Sequence, residues 1–185
     1  MKRILLAITT LCCLWAADAA AQEGQNASAT ASQTVRLNLA PVIAFRFSST
    51  NAATGNQVNM DFNTVNQLSN GIQSSEQELS IISNKTFKVS VQTDAPSFSY
   101  SGNGNASMPV DNTLFVAVKN NATGGNVVSS FNNTYHSLSS ASQDLLLDGQ
   151  QGADQKIVLA YMAKPGMNYP AGSYSVGVIY TATQP

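Results

Sequence analysis

Apolar and polar residues alternate with a period of two through most of the chain beyond residue 33, the signature of strands whose successive side chains point to opposite faces. "TVRLNLA" sets Val35, Leu37 and Leu39 against Arg36 and Asn38. After Pro41, "VIAFRF" sets Ile43, Phe45 and Phe47 against Ala44 and Arg46. The same rule places Val58, Met60 and Phe62 on one face of "QVNMDF", Leu79 and Ile81 in "ELSII", and Phe87, Val89 and Val91 in "TFKVSVQ". Between the last two, Ser83-Asn84-Lys85 predicts the tight turn of a hairpin.

Further along, Phe98 and Tyr100 precede a glycine-asparagine turn at 102–105, and Leu114, Val116 and Val118 precede a loop at 120–126. "KIVLAYMA" is apolar on both faces, with Ile157, Leu159 and Tyr161 opposing Val158, Ala160 and Met162, as in a central strand covered on both sides. Residues 173–183 predict one long closing strand with Tyr174, Val176, Val178, Tyr180 and Ala182 on one face. Its entry is a turn in which Pro170 fixes φ and Gly172 is able to take φ > 0. Helical patterning is confined to a turn within 63–72, while 139–149 fits a short helix or a strand flanked by aspartates. About eight or nine short strands separated by turns predict an all-β fold, an antiparallel immunoglobulin-like β-sandwich, with a barrel as the second option.

The N-terminus reads differently. Lys2 and Arg3 precede an apolar run over 4–17, too short for a stable anchor, and Ala19 and Ala21 are the small residues before a cut after Ala21. Residues 1–21 are therefore expected to be a signal peptide, 22–33 a flexible leader, and 34–185 a single sandwich domain. Cys12 and Cys13 lack the small residue that lipid-modification signals place just ahead of the cysteine. Cleavage removes both, so the mature chain relies on its core without disulfides. The expected location is secreted: periplasm, cell surface or extracellular space.

Charge narrows the partners. The formal net charge is −1, and only 10% of residues are charged. No basic cluster exists to hold nucleic acid or anionic lipid, and no second long apolar run supports membrane insertion after signal cleavage. His136, in the polar stretch "FNNTYHSLSS", is the single histidine, and no serine has flanking glycines at the spacing of a nucleophile elbow. It reads as a loop residue. Asp144, Asp148 and Asp154 lack the spacing of a calcium loop and read as solvated aspartates bounding a buried "LLL". Glu76 and Glu78 read as edge protection at a strand entry. No catalytic residue, metal or cofactor is expected, and the remaining enzymatic option is a hydrolase with carboxylates distant in sequence. Asn-x-Ser/Thr triplets begin at Asn26, Asn84, Asn105, Asn121 and Asn132. Among the tyrosines, Tyr135 and Tyr169 lie in loops and are candidate ligand contacts.

One local pattern points to a family. Pro170, Gly172 and Tyr174, followed by Val176, Val178, Tyr180 and Thr181, resemble the last strand of bacterial surface sandwiches, among them spore-coat-U-like pilus subunits. "SNKTFKVSV" and the signal sequence fit the same resemblance. What it implies is assembly by strand donation, in which an N-terminal extension of alternating apolar residues completes the sandwich of the next subunit. Val35, Leu37 and Leu39 would be the inserting side chains. The same stretch also fits the first strand of its own domain. The expectation is a secreted, non-enzymatic structural or adhesive surface subunit whose partner is itself or a related subunit. The alternative is a monomeric module that binds glycan or cell-wall polymer through the loops at Tyr135 and Tyr169.

Overall fold

In the computed structural model, which describes residues 29–48 and 57–185, the alternating segments from Ile43 onward build antiparallel sheets around one apolar core. The expected signal peptide and the start of the leader lie outside the described residues. The chain divides into two units, Met1–Asn38 and Leu39–Pro185. Residues 29–42 contain no helix or strand, which corrects the strand expected over 34–40. Val35, Leu37 and Leu39 are 76%, 78% and 85% exposed. Alternation alone does not make a strand stable, because its backbone groups need a neighbour to bond.

The elements are β1 (Ile43–Ser48), α1 (Val65–Asn70), β2 (Ile72–Gln73), β3 (Gln77–Ser83), β4 (Phe87–Thr93), β5 (Ser99–Ser101) and β6 (Leu114–Asn121). They continue as β7 (Asn126–Val127), β8 (His136–Ser137), β9 (Gln143–Gly149), β10 (Gly152–Ala163), β11 (Ser173–Ser175) and β12 (Val178–Thr183). One sheet runs β1-β3-β10-β6-β8, with β2 also paired to β10, and the second runs β12-β4-β9-β7. A two-stranded ribbon, β11-β5, stands apart from both. Leu79, Ile81, Val116, Ile157 and Leu159 from the first sheet and Phe87, Val89, Val91, Leu145 and Leu146 from the second share the core, each at most 1% exposed. As the apolar pattern indicated, β10 is central, between β3 and β6.

Several expectations change. Residues 83–85 do turn the chain, but β3 and β4 do not pair as a hairpin. β3 pairs with β1 and β10, whereas β4 pairs with β12 and β9. Side chains satisfy the corner locally: Ser83 Oγ donates to the Lys85 carbonyl at 2.6 Å and accepts from its N–H at 3.3 Å. The chain therefore crosses between sheets without needing a cross-strand ladder there. The ambiguous 139–149 segment contains strand β9. Helix α1 carries a capping box, with Gln67 N–H on Thr64 Oγ1 and Thr64 N–H on Gln67 Oε1, and ends at Gly71 with φ 82°.

The expected closing strand is two strands. β11 pairs with β5 and β12 with β4, separated at Val176-Gly177. Asp94 makes the break: its N–H donates to the Gly177 carbonyl at 2.9 Å, and its Oδ1 accepts the Gly177 N–H at 2.9 Å. A Cβ at residue 177 would stand 2.4 Å from Asp94 Oδ2, so glycine lets the two come this close without displacing the carboxylate. Nor does β12 close its sheet. It is the edge.

Candidate functional site: an open sandwich edge

β1 ends one sheet and β12 ends the other. The two lie side by side at one flank of the sandwich. Phe47 meets Tyr180 edge to face at 5.8 Å, and Gln184 Nε2, just past β12, donates to the Val42 carbonyl at 2.8 Å, just before β1. These contacts make the strands antiparallel neighbours, yet each belongs to a different sheet. Among the described residues β12 pairs with β4 alone, leaving its outer row of N–H and C=O groups as a template for another strand.

Burial marks the same flank. The inward side chains of β4, Phe87, Val89 and Val91, are no more than 1% exposed. Their neighbours on β12, Val178, Tyr180 and Ala182, pack against the core but are only partly buried, as are Ile43, Phe45 and Phe47 of β1. Residues 57–62 keep the predicted alternation, with Val58, Met60 and Phe62 also packed on the core. They form no ladder with any described residue. The flank thus presents a strip of alternating apolar side chains beside an unpaired strand edge.

At its floor the Tyr161 and Tyr180 hydroxyls meet at 2.8 Å. Burial pushes Tyr161 up to about 12, partly offset by the bond from Tyr180. Burial also raises Tyr180 well above the ordinary tyrosine value, with Tyr161 adding to the effect. Both phenols are neutral at ordinary pH, and one donates its hydroxyl hydrogen to the other. Apart from this bond the floor is lined by apolar side chains.

The other sequence candidates occupy different settings. Tyr135 donates to Gln73 Oε1 at 2.9 Å, and Lys119 Nζ lies 4.4 Å from its ring centre, so hydroxyl and one ring face are engaged internally. Tyr169 packs edge-on against Tyr174 at 6.4 Å, and Tyr174 lies 4.8 Å from Tyr100, its cross-strand partner in the ribbon. The Tyr100 hydroxyl donates to the Ala171 carbonyl at 3.0 Å, and Tyr174 to that of Pro170 at 2.8 Å. His136 lies in β8, edge-on to Phe131 at 4.7 Å, and not in a loop.

Asp144 pairs with Lys88 at 3.6 Å, and Lys156 bridges Asp154 at 3.6 Å and Glu78 at 3.3 Å. Because β3 is an interior strand, Glu78 guards no edge, which corrects that expectation for Glu78. Among the described residues no three His, Cys, Asp or Glu side chains gather as a metal site, and no helix is long and apolar enough to cross a membrane.

What the sequence pattern missed is the pairing of Phe47 with Tyr180 and of Val42 with Gln184 across the flank. Alternation identifies a buried face but carries no mark of which strands end a sheet; Arg46 on the outer face of β1 was the available hint. Neither the scan against protein-family models nor the search of curated proteins gives a match.

Proposed function

We propose that this protein is a non-enzymatic surface structural or adhesive subunit that polymerises by strand donation. Residues 34–40 of one copy lie along β12 of the next, with Val35, Leu37 and Leu39 over the apolar strip. The observation that carries the reading is the coexistence, in one chain, of an unpaired sheet edge over partly buried core residues and an exposed segment of matching alternation. The lengths agree. Seven extended residues span about 23 Å and the six of β12 about 20 Å. Main-chain bonds to the β12 edge supply affinity, and the alternate side chains supply register. Each apolar side chain that moves from water to full burial contributes about 1.5–3 kcal/mol. The signal sequence and the sparse charge support a role outside the cytoplasm, in the periplasm or at the cell surface.

Sedimentation of the chain from residue 22 onward, compared with the chain from residue 41 onward, tests this. The longer form is expected to build concentration-dependent chains. The shorter form is expected to stay monomeric, melt at lower temperature, and regain stability when a synthetic peptide of residues 33–40 is added. A monomeric longer form with the same melting temperature as the shorter one would overturn the proposal.

A further inference from the structure

The backbone just before β1 is held by side chains from two distant parts of the fold. The β1–β3 ladder, whose last strand pair is Ile43 with Ser83, is extended past its end by side-chain bonds. The Asn84 carboxamide takes over. Its Oδ1 accepts the Val42 N–H at 2.8 Å, and its Nδ2 donates to the Ala40 carbonyl at 2.7 Å. It thus bonds the groups on either side of Pro41 as a neighbouring peptide would. The Asn84 N–H donates to the Val42 carbonyl at 3.2 Å, which also accepts from Gln184 Nε2 at 2.8 Å. Gln184 Nε2 further reaches Ser83 Oγ at 2.8 Å. The start of β1, the β3–β4 corner and the C-terminus are thereby one hydrogen-bonded clamp, and Ala40, preceding a proline, is already biased toward extended backbone.

We infer that Asn84 and Gln184 are positioning residues that keep the N-terminal segment from occupying its own groove and so direct it to a second copy of this chain. The inference rests on the strand-donation reading. For a copy to fill its own groove, its chain must reverse within residues 39–42. That reversal breaks the bonds from Asn84 to Ala40 and Val42. The returning strand also has to run parallel to β12, because β1 starts beside Gln184 and runs antiparallel to β12. A donor from another molecule has neither restriction, and antiparallel pairing is the more stable per residue. Removing the Asn84 carboxamide removes hydrogen bonds that only the open arrangement makes, and removing Gln184 frees the Val42 carbonyl where the chain has to reverse. This shifts the balance toward the closed monomer by about tenfold.

The test uses the chain from residue 22 onward as wild type and as Asn84→Ala, Gln184→Ala and the double variant. Sedimentation velocity measures polymer fraction, and hydrogen exchange follows the amides of residues 35–39 at high dilution. Wild type is expected to polymerise and, when dilute, to exchange these amides freely. The variants are expected to hold about tenfold more closed monomer, with the same amides protected at a dilution where wild type is not. Asn84→Asp, which keeps the acceptor for Val42 but loses the donor to Ala40, should fall between.

Variants that polymerise like wild type and leave these amides unprotected when monomeric would overturn the inference and leave strand donation standing. A wild type that neither polymerises nor protects residues 35–39 at any concentration would overturn donation itself. Gln184 lies beyond the last strand, so its substitution keeps the test open if Asn84→Ala does not fold.

Discussion

Tyr161 on β10 and Tyr180 on β12 join their hydroxyls at 2.8 Å, tying the central strand of one sheet to the edge strand of the other. Both phenols have raised pKa values, Tyr161 at about 12, with burial as the leading cause. In the unfolded chain they ionise near 10. Their contribution to stability is therefore complete below about pH 10 and is lost as pH rises toward 12, because the unfolded state releases its protons first. Each tyrosine contributes up to about 1.4 kcal/mol per pH unit across that window. Urea midpoints measured from pH 8 to 12 should fall steeply above 10. Tyr161→Phe should flatten the fall and cost about 1 kcal/mol at neutral pH, by leaving the Tyr180 hydroxyl without its partner. The double Phe variant should be flatter still. An unchanged alkaline slope in the double variant would refute the assignment.

Gly149, at the end of β9, faces Phe87 across the ladder. A Cβ at 149 would lie 2.6 Å from two carbons of the Phe87 ring, which is 1% exposed and has no room to retreat. Gly149→Ala should therefore cost about 1–3 kcal/mol through overpacking. Phe87→Leu is destabilising on its own, but the pair should cost less than the sum of the single changes, because the smaller side chain vacates the clash. Chemical denaturation of the four proteins completes the cycle, and strict additivity would reject the contact as the cause.

The strands that read cleanly from alternation, around Phe45, Ile81, Val89, Val116 and Leu159, are strands in the fold. The helical turn expected within 63–72 is helix α1. A period of two says which side chains share a face and is silent about which strand lies alongside. That is why the Ser83–Lys85 corner was legible as a turn while its crossing between sheets was not. It is also why residues 173–183 read as one strand. The alternation passes unbroken through Val176 and Gly177, and the change of partner is imposed by Asp94, 83 residues earlier. The bond from Tyr135 to Gln73, 62 residues away, likewise has no mark in the local sequence. For Val35, Leu37 and Leu39 the pattern of a donor and that of an in-sheet strand are identical, and only the pairing separates them.

The Asp94–Gly177 contact governs how the β5-β11 ribbon attaches to the sandwich. Gly177→Ala places a Cβ against the Asp94 carboxylate, and Asp94→Ala removes the acceptor for the Gly177 N–H. Each change should cost about 1 kcal/mol. The double variant should cost less than the sum, since both act on one contact. Hydrogen exchange should quicken for residues 99–101 and 173–175, with the interior amides of β3 and β10 unaffected. Equal quickening throughout the domain would mean that the contact supports the sandwich as a whole.

Strand donation makes a demand of parity on residues 34–40. Val35, Leu37 and Leu39 must face the strip formed with Val178, Tyr180 and Ala182, while Arg36 and Asn38 face away. Leu37→Asp should weaken subunit association by about 10- to 100-fold, the equivalent of one lost apolar anchor. Asn38→Asp, one residue further on, should change it little. A single serine inserted between Leu37 and Asn38 makes a sharper case, because it changes no existing residue. It turns Val35 and Leu37 to the solvent side whenever Leu39 stays seated, as a one-residue slip does in any sheet with one buried face. That insertion should weaken association more than Asn38→Asp. Two inserted serines restore the alternation across the break and should recover part of the loss. Sedimentation equilibrium on the four variants measures this ranking. If the one-residue insertion assembles as well as wild type, contacts outside 34–40 hold the subunits together.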